Sequence, residues 1–224
     1  MMIHSIQKSE SIELGILLAL SGGFMDAYSY IERGKVFANA QTGNMLLLGI
    51  HLSRGQLNLC LKYFFPVLAF TIGIALADII KMRKTNLFHW RQMTVILEIV
   101  IFIGVSMMPQ SMNLIANSLT SLACGLQVES FRKIHGQAMA TTMCIGNLRS
   151  ATSHMIQFFY GQDLESLKKG CLYFGIIICF ILGAVIGHVM IGWFHEKAIL
   201  GCCCLLIVAF GVMFIDEEKL SVVN

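Results

Sequence analysis

Asp26 stands late in an apolar stretch running from about Ser11 to Ile31, where an ionisable side chain is a functional candidate by default because charge in hydrocarbon is costly. It offers to bind a cation or carry a proton or, nearer an interface, to cap a neighbouring element or pair with Arg33. Glu98 lies inside the apolar run Val95 to Gly104 with no opposite charge close to it in sequence. Arg149 follows Gly146 by three residues in a polar stretch, and a buried guanidinium there needs a carboxylate or an anionic ligand. Asp26 and Glu98 are its expected partners. Two Gly-Asn pairs, Gly43-Asn44 and Gly146-Asn147, have Asn39, Thr42 and Thr142 around them. Where such a pair breaks or starts a helix inside a membrane, backbone N–H groups and an amide become available to a ligand. The plain alternative is close helix packing with an interhelical amide hydrogen bond worth about 0.6 to 2 kcal/mol.

Other chemistries find no constellation. The eight cysteines lie within apolar segments without Cys-x-x-Cys spacing and read as small core residues. The seven histidines form no His-Glu-x-x-His pattern, so neither a metal nor another cofactor is expected. A nucleophile–base pair is not visible, and the chain is read as a non-enzyme. A formal charge of +3 with no long basic run excludes a nucleic-acid surface.

The elements that must position these residues are apolar helices. With 224 residues, 56% hydrophobic and 13% charged, the chain has too little polar surface to coat a water-soluble globule, and its expected partner is the lipid bilayer. Apolar segments fall near 11–31, 36–53, 63–82, 92–109, 112–131, 137–159, 170–194 and 198–215, each near the length needed to cross hydrocarbon. Alternating strand patterns are absent. The expected fold is an all-α polytopic transmembrane bundle forming a single integral membrane domain over 1–224. Segments 36–53 and 137–159 are too polar to face lipid and must line the centre, either as full spans or as re-entrant pieces. If neither crosses and the N-terminus is cytoplasmic, only Arg33, Lys35, Arg54, Lys62 and Lys197 of the 16 Lys and Arg lie outside, as the positive-inside rule prefers. Six spans therefore fit better than the alternative of eight.

The second half of the chain echoes the first, about 11–109 against 112–215. Gly23 and Gly34 match Gly125 and Gly136, Gly43-Asn44 matches Gly146-Asn147, and Phe70-x-x-Gly73-x-x-x-Ala77 matches Phe180-x-x-Gly183-x-x-x-Gly187. Asp78 and His188 follow those last steps directly and read as residues near helix ends. Matches in the same order point to a duplicated unit. Three spans per half would make the halves inverted, with the two Gly-Asn segments entering from opposite faces and approaching near the midplane.

The run Gly23-Phe24-Met25-Asp26-Ala27, with Tyr30, Gly34, Phe37, Asn39, Thr42-Gly43-Asn44 and Leu48-Gly49, resembles the signature stretch of the YoaK-like family of bacterial membrane proteins, whose function is unknown. The resemblance implies a multi-pass protein of the bacterial inner membrane and supplies neither substrate nor catalytic residues. Cys144-Ile145 departs from the pattern in the second half. The leading expectation is a transporter or channel for an unknown small solute or ion; the alternative is a non-catalytic scaffold or assembly partner. A homo-oligomer is compatible with either.

Overall fold

The computed structural model describes residues 11–83, 89–134, 137–142 and 144–221. Gly136, the repeat match of Gly34, therefore lies outside the described residues. In chain order the helices are α1 (Ile12–Ile31), α2 (Gln41–Ser53), α3 (Leu57–Met82), α4 (Trp90–Ser106), α5 (Asn113–Ser130), α6 (Cys144–Gly161), α7 (Leu164–Phe194) and α8 (Leu200–Ser221). Short 3₁₀ turns at Gln110–Met112 and His195–Ile199 lead into α5 and α8, and β1 (Lys133–Ile134) pairs with β2 (Gln137–Ala138) in a minimal antiparallel hairpin.

Helix starts follow local chemistry. Ser11 caps α1 by accepting from the Leu14 amide at 3.2 Å, and Asp163 caps α7 by accepting from the Glu165 and Ser166 amides. An ion pair of 2.8 Å between Glu165 and Lys169 supports the first turns of α7. These polar turns explain why α7 begins at Leu164, ahead of the apolar run near 170; α3 likewise begins at Leu57, ahead of the run near 63.

The bundle is apolar on its outer faces as well as in its core. On α7, Gly183, Gly187 and Ile191 face inward while Ile178, Ile181, Leu182, Val185 and Ile186 are exposed. Leu61, Phe64, Leu68 and Ile72 are exposed on α3, whereas Asn44, Glu98, Asn117, Gln127 and Arg33 are buried. Such an outer surface calls for lipid as solvent. Three stretches of the described residues, Ile12–Ile31, Leu57–Met82 and Leu164–Met213, are long and apolar enough to cross a membrane.

Two close helix pairs form the frame. Helix α1 lies along α7, with Gly23 against the Phe180 carbonyl and Gly183 against the Leu20 carbonyl. Helix α3 lies along α5, with Gly73 against the Leu122 carbonyl and Gly125 against the Phe70 carbonyl. No Cβ fits at any of the four, so these backbones approach as only glycine permits. Helix α4 packs on α5 and α8, and α8 also packs on α1. The short helices pair with their successors: α2 with α3, where His51 stacks on Tyr63 at 5.6 Å, and α6 with α7, where His154 stacks on Tyr173 at 5.8 Å.

One end of the bundle is tied by Arg33, which is fully buried. Its Nε donates to the Tyr28 hydroxyl at 2.8 Å, Nη2 to the Val105 carbonyl at 3.0 Å, and Nη1 to Asn113 Oδ1 at 3.1 Å and the Pro109 carbonyl at 3.3 Å. Tyr28 in turn donates to the Glu196 carbonyl at 2.8 Å, and Asn117 Nδ2 donates to the carbonyl of Arg33 at 2.7 Å. The guanidinium thus joins the ends of α1 and α4, the start of α5 and the turn before α8. Val105 is in the last turn of α4, where the carbonyls carry the negative end of the helix dipole and substitute for a carboxylate. Arg33→Lys keeps the charge but loses the fork, so it should cost about 2 kcal/mol or more, seen as a lower unfolding temperature in detergent. Arg54→Lys, on the exposed α2–α3 turn, should leave that temperature unchanged.

Candidate functional site

Both polar segments begin as non-helical chain and become helix only part-way along. After α1 the backbone reverses at Gly34 and Lys35, with φ of 86° and 67°, the first a conformation that glycine adopts without strain. Residues 36–40 then lead to α2. Asn44 ties the start of that helix to the chain before it: its Oδ1 accepts from the Phe37 amide at 3.1 Å, and its Nδ2 donates to the Phe37 carbonyl at 2.7 Å and to Gln41 Oε1 at 2.8 Å. Gln41 Nε2 donates to the Ala38 carbonyl at 2.7 Å. Ahead of α6 the same device recurs, with Asn147 Nδ2 donating to the Ala140 carbonyl at 2.6 Å, again seven residues back. Each Gly-Asn pair therefore lies in the first turn of its helix.

Between these segments is a cavity of about 1150 Å³. Of the residues singled out from sequence, Asp26, Asn39, Thr42, Thr142, Gly146, Asn147 and Arg149 line it. Gly43 packs instead on the Phe37 ring, and Asn44 is fully buried behind the wall. Glu98 is elsewhere: it is fully buried on α4, near Cys124 of α5 and Cys202 of α8, and neither carboxyl oxygen has a hydrogen-bond partner among the described residues. The exposed ring of Tyr30 stacks on Phe37 at 5.0 Å, and both line the cavity.

The charges at the cavity are disposed differently from the sequence expectation. Asp26 does not pair with Arg33, which is committed to the end of the bundle. Its Oδ1 accepts from the Asn39 amide at 2.7 Å, and the Ala38 and Ala40 amides also act on the carboxyl, so the side chain caps the chain leading into α2. Asn39 returns the contact to α1 by donating from Nδ2 to the Gly22 carbonyl at 3.0 Å. Glu129 and Arg132 pair with each other at 2.7 Å, as their spacing suggests. Arg149 pairs with neither Asp26 nor Glu98 and has no partner among the described residues: it is on the exposed face of α6, while one carboxyl is occupied by amides and the other is sealed behind α4. Asn39 Oδ1 and Thr142 Oγ1, both buried, also lack hydrogen-bond partners. The cavity therefore combines one uncommitted cation with acceptor and donor atoms that nothing in the described chain satisfies.

The profile of the family described as "Protein of unknown function (DUF1275)" matches residues 14–212. The UPF0700 transmembrane protein YoaK of Bacillus subtilis (strain 168) is 24% identical over 216 residues, covering 92% of this chain and 93% of the relative. No solved structure matches the chain.

The unequal roles of the two asparagines should appear in stability. Asn44→Ala strands the Phe37 amide and carbonyl and should cost about 1 to 3 kcal/mol; Asn147→Ala removes a single bond and should cost less, by thermal unfolding in detergent. Glu98→Gln keeps the shape and removes the need to bury an acid without a counter-ion, so the unfolding temperature should stay level or rise.

Proposed function

The chain belongs to the DUF1275 family of proteins of unknown function, and on that premise we propose that it is a transporter or channel for a small solute or ion, working through the cavity between the two broken segments. The observation carrying this reading is the cavity itself. About 1150 Å³ of space, walled by non-helical backbone and buried amides, sits inside a bundle whose outer faces are apolar. Irregular backbone at membrane depth is tolerated where it is buried in protein or lines a water-filled path. The protein performs no covalent chemistry on this reading; it binds and passes its solute in the bacterial inner membrane.

The topology that goes with it has six crossings, α1, α3, α4, α5, α7 and α8, and two re-entrant segments. Segment two returns to the face it came from: Lys62 near the start of α3 lies beside Gly34, where the segment enters, and His51 near the end of α2 stacks on Tyr63. Thirteen residues of helix at about 1.5 Å each cover about 20 Å, short of a hydrocarbon core of about 30 Å. Two inverted halves are supported by the exchange of contacts between them. The pair α1–α7 answers α5–α3, α8–α1 answers α4–α5, and the histidine–tyrosine stacks and seven-residue asparagine ties occur once in each half. Inverted repeats with discontinuous segments meeting near the midplane are a common plan of secondary transporters.

Reporters of sidedness placed after Gly55, Gln110, Asp163 and Glu196 separate the topologies. Six crossings put Gly55, Gln110 and Glu196 outside and Asp163 inside; eight would put Gln110 and Asp163 on one side. For function, purified protein in proteoliposomes should accelerate flux of at least one member of a broad solute panel over empty vesicles. Ala40→Trp, which fills the cavity from its wall, should abolish that flux while the protein stays folded. Equal flux from Ala40→Trp and wild type would remove the cavity from the path.

A further inference from the structure

Resting on the transport reading, we propose that the cavity takes a small zwitterion, with a carboxylate held by Arg149, the Thr142 hydroxyl and the start of α6, and an ammonium held by Asp26 and the Asn39 carbonyl oxygen. The donor pole comes from α6. Its 18 residues begin at Cys144 beside the cavity, and the first-turn amides of a helix have no intrahelical acceptor. At Gly146, which lines the cavity, an added Cβ would meet nothing within 4 Å, so a ligand can approach the backbone there. Arg149, on the same helix, is exposed and unpaired among the described residues and supplies a full positive charge. Thr142, only 4% exposed, lines the cavity, and its Oγ1 has no partner among the described residues, which leaves its proton for an anionic oxygen.

The acceptor pole faces it. Asn39 is 3% exposed and lines the cavity; its Nδ2 is fixed on the Gly22 carbonyl, so the oxygen left without a partner is an acceptor. Asp26 touches the same residue and acts electrostatically on Cys144, so a lone anion at the start of α6 would meet a carboxylate. Glu129 and Arg132, the other charges on the wall, neutralise each other. A free cation is opposed by Arg149 and the helix dipole, and a free anion by Asp26; a ligand carrying both charges is opposed by neither.

The test is binding to the purified full-length protein in detergent, by isothermal titration calorimetry and thermal unfolding, with glycine, 4-aminobutyrate and 6-aminohexanoate against acetate and ethylamine. At least one amino acid should bind about tenfold or more tightly than either single-charge probe. Arg149→Gln and Thr142→Val remove groups without partners among the described residues and should each weaken it about tenfold at unchanged unfolding temperature. The proposal is overturned if acetate or ethylamine binds as well as the amino acids, if none of the five binds, or if both variants bind like wild type. Flux separates the two levels: amino-acid binding without flux retains this assignment and removes transport. Flux of a different solute, blocked by Ala40→Trp, retains transport and removes the zwitterion.

Discussion

A chain that leaves helical conformation inside an apolar bundle must satisfy its own backbone, and that constraint organises this fold. Residues 36–40 and 139–142 have no helix ladder, and most of their length is buried. Side chains take over. Asp26 accepts from the amides around Asn39, Asn44 closes both hydrogen bonds of Phe37, Gln41 takes the Ala38 carbonyl and Asn147 takes that of Ala140. A buried backbone group left unpaired costs about 1 to 3 kcal/mol, so these amides are the condition for the segments to exist at all. They also account for the composition of the two segments: Asn, Gln and Thr are there to serve the chain, and the cavity is what remains between two such self-satisfied turns.

The same logic explains how the frame tolerates a gap at its centre. Helices α1 and α7, and α3 and α5, approach at paired glycines, so each pair is held by backbone contact as well as by interdigitating side chains. Arg33 fixes one end independently of the cavity, since all its acceptors belong to α1, the α4–α5 region and, through Tyr28, the turn before α8.

Much of this was legible in the sequence because the bilayer makes polarity informative. In a chain 56% hydrophobic, clusters such as Asn39-Ala40-Gln41-Thr42-Gly43-Asn44 stand out, and the two Gly-Asn pairs flagged the starts of α2 and α6 to within a few residues. What was not legible depends on which way a helix faces. Glu98 reads as buried from its apolar neighbours, but periodicity does not say that its face turns to α5 and α8, away from the cavity. Arg33, in Glu32-Arg33-Gly34-Lys35, reads as part of a solvated basic turn; its burial depends on α4 ending beside it and presenting the carbonyls of its last turn. The expected partner of Arg149 failed for a related reason, because a count of charges does not register that backbone amides can occupy a carboxylate.

That last point decides how Asp26 is to be understood. A carboxyl in the membrane is usually read as either structural or functional, and here one side chain bears on both. One oxygen accepts the Asn39 amide at 2.7 Å and holds the broken segment in place, while the residue itself borders the cavity. Its negative charge also opposes the positive ends of two short helices that begin nearby, which would otherwise repel every cation from the site. A residue that shapes the wall and sets its potential at once ties binding to fold. Any solute that draws on the Asp26 charge must compete with the Ala38–Ala40 amides, and so must loosen the turn that defines the cavity. On the transport reading, coupling of that kind lets solute binding shift the turn between two arrangements, as movement of a solute from one face to the other requires.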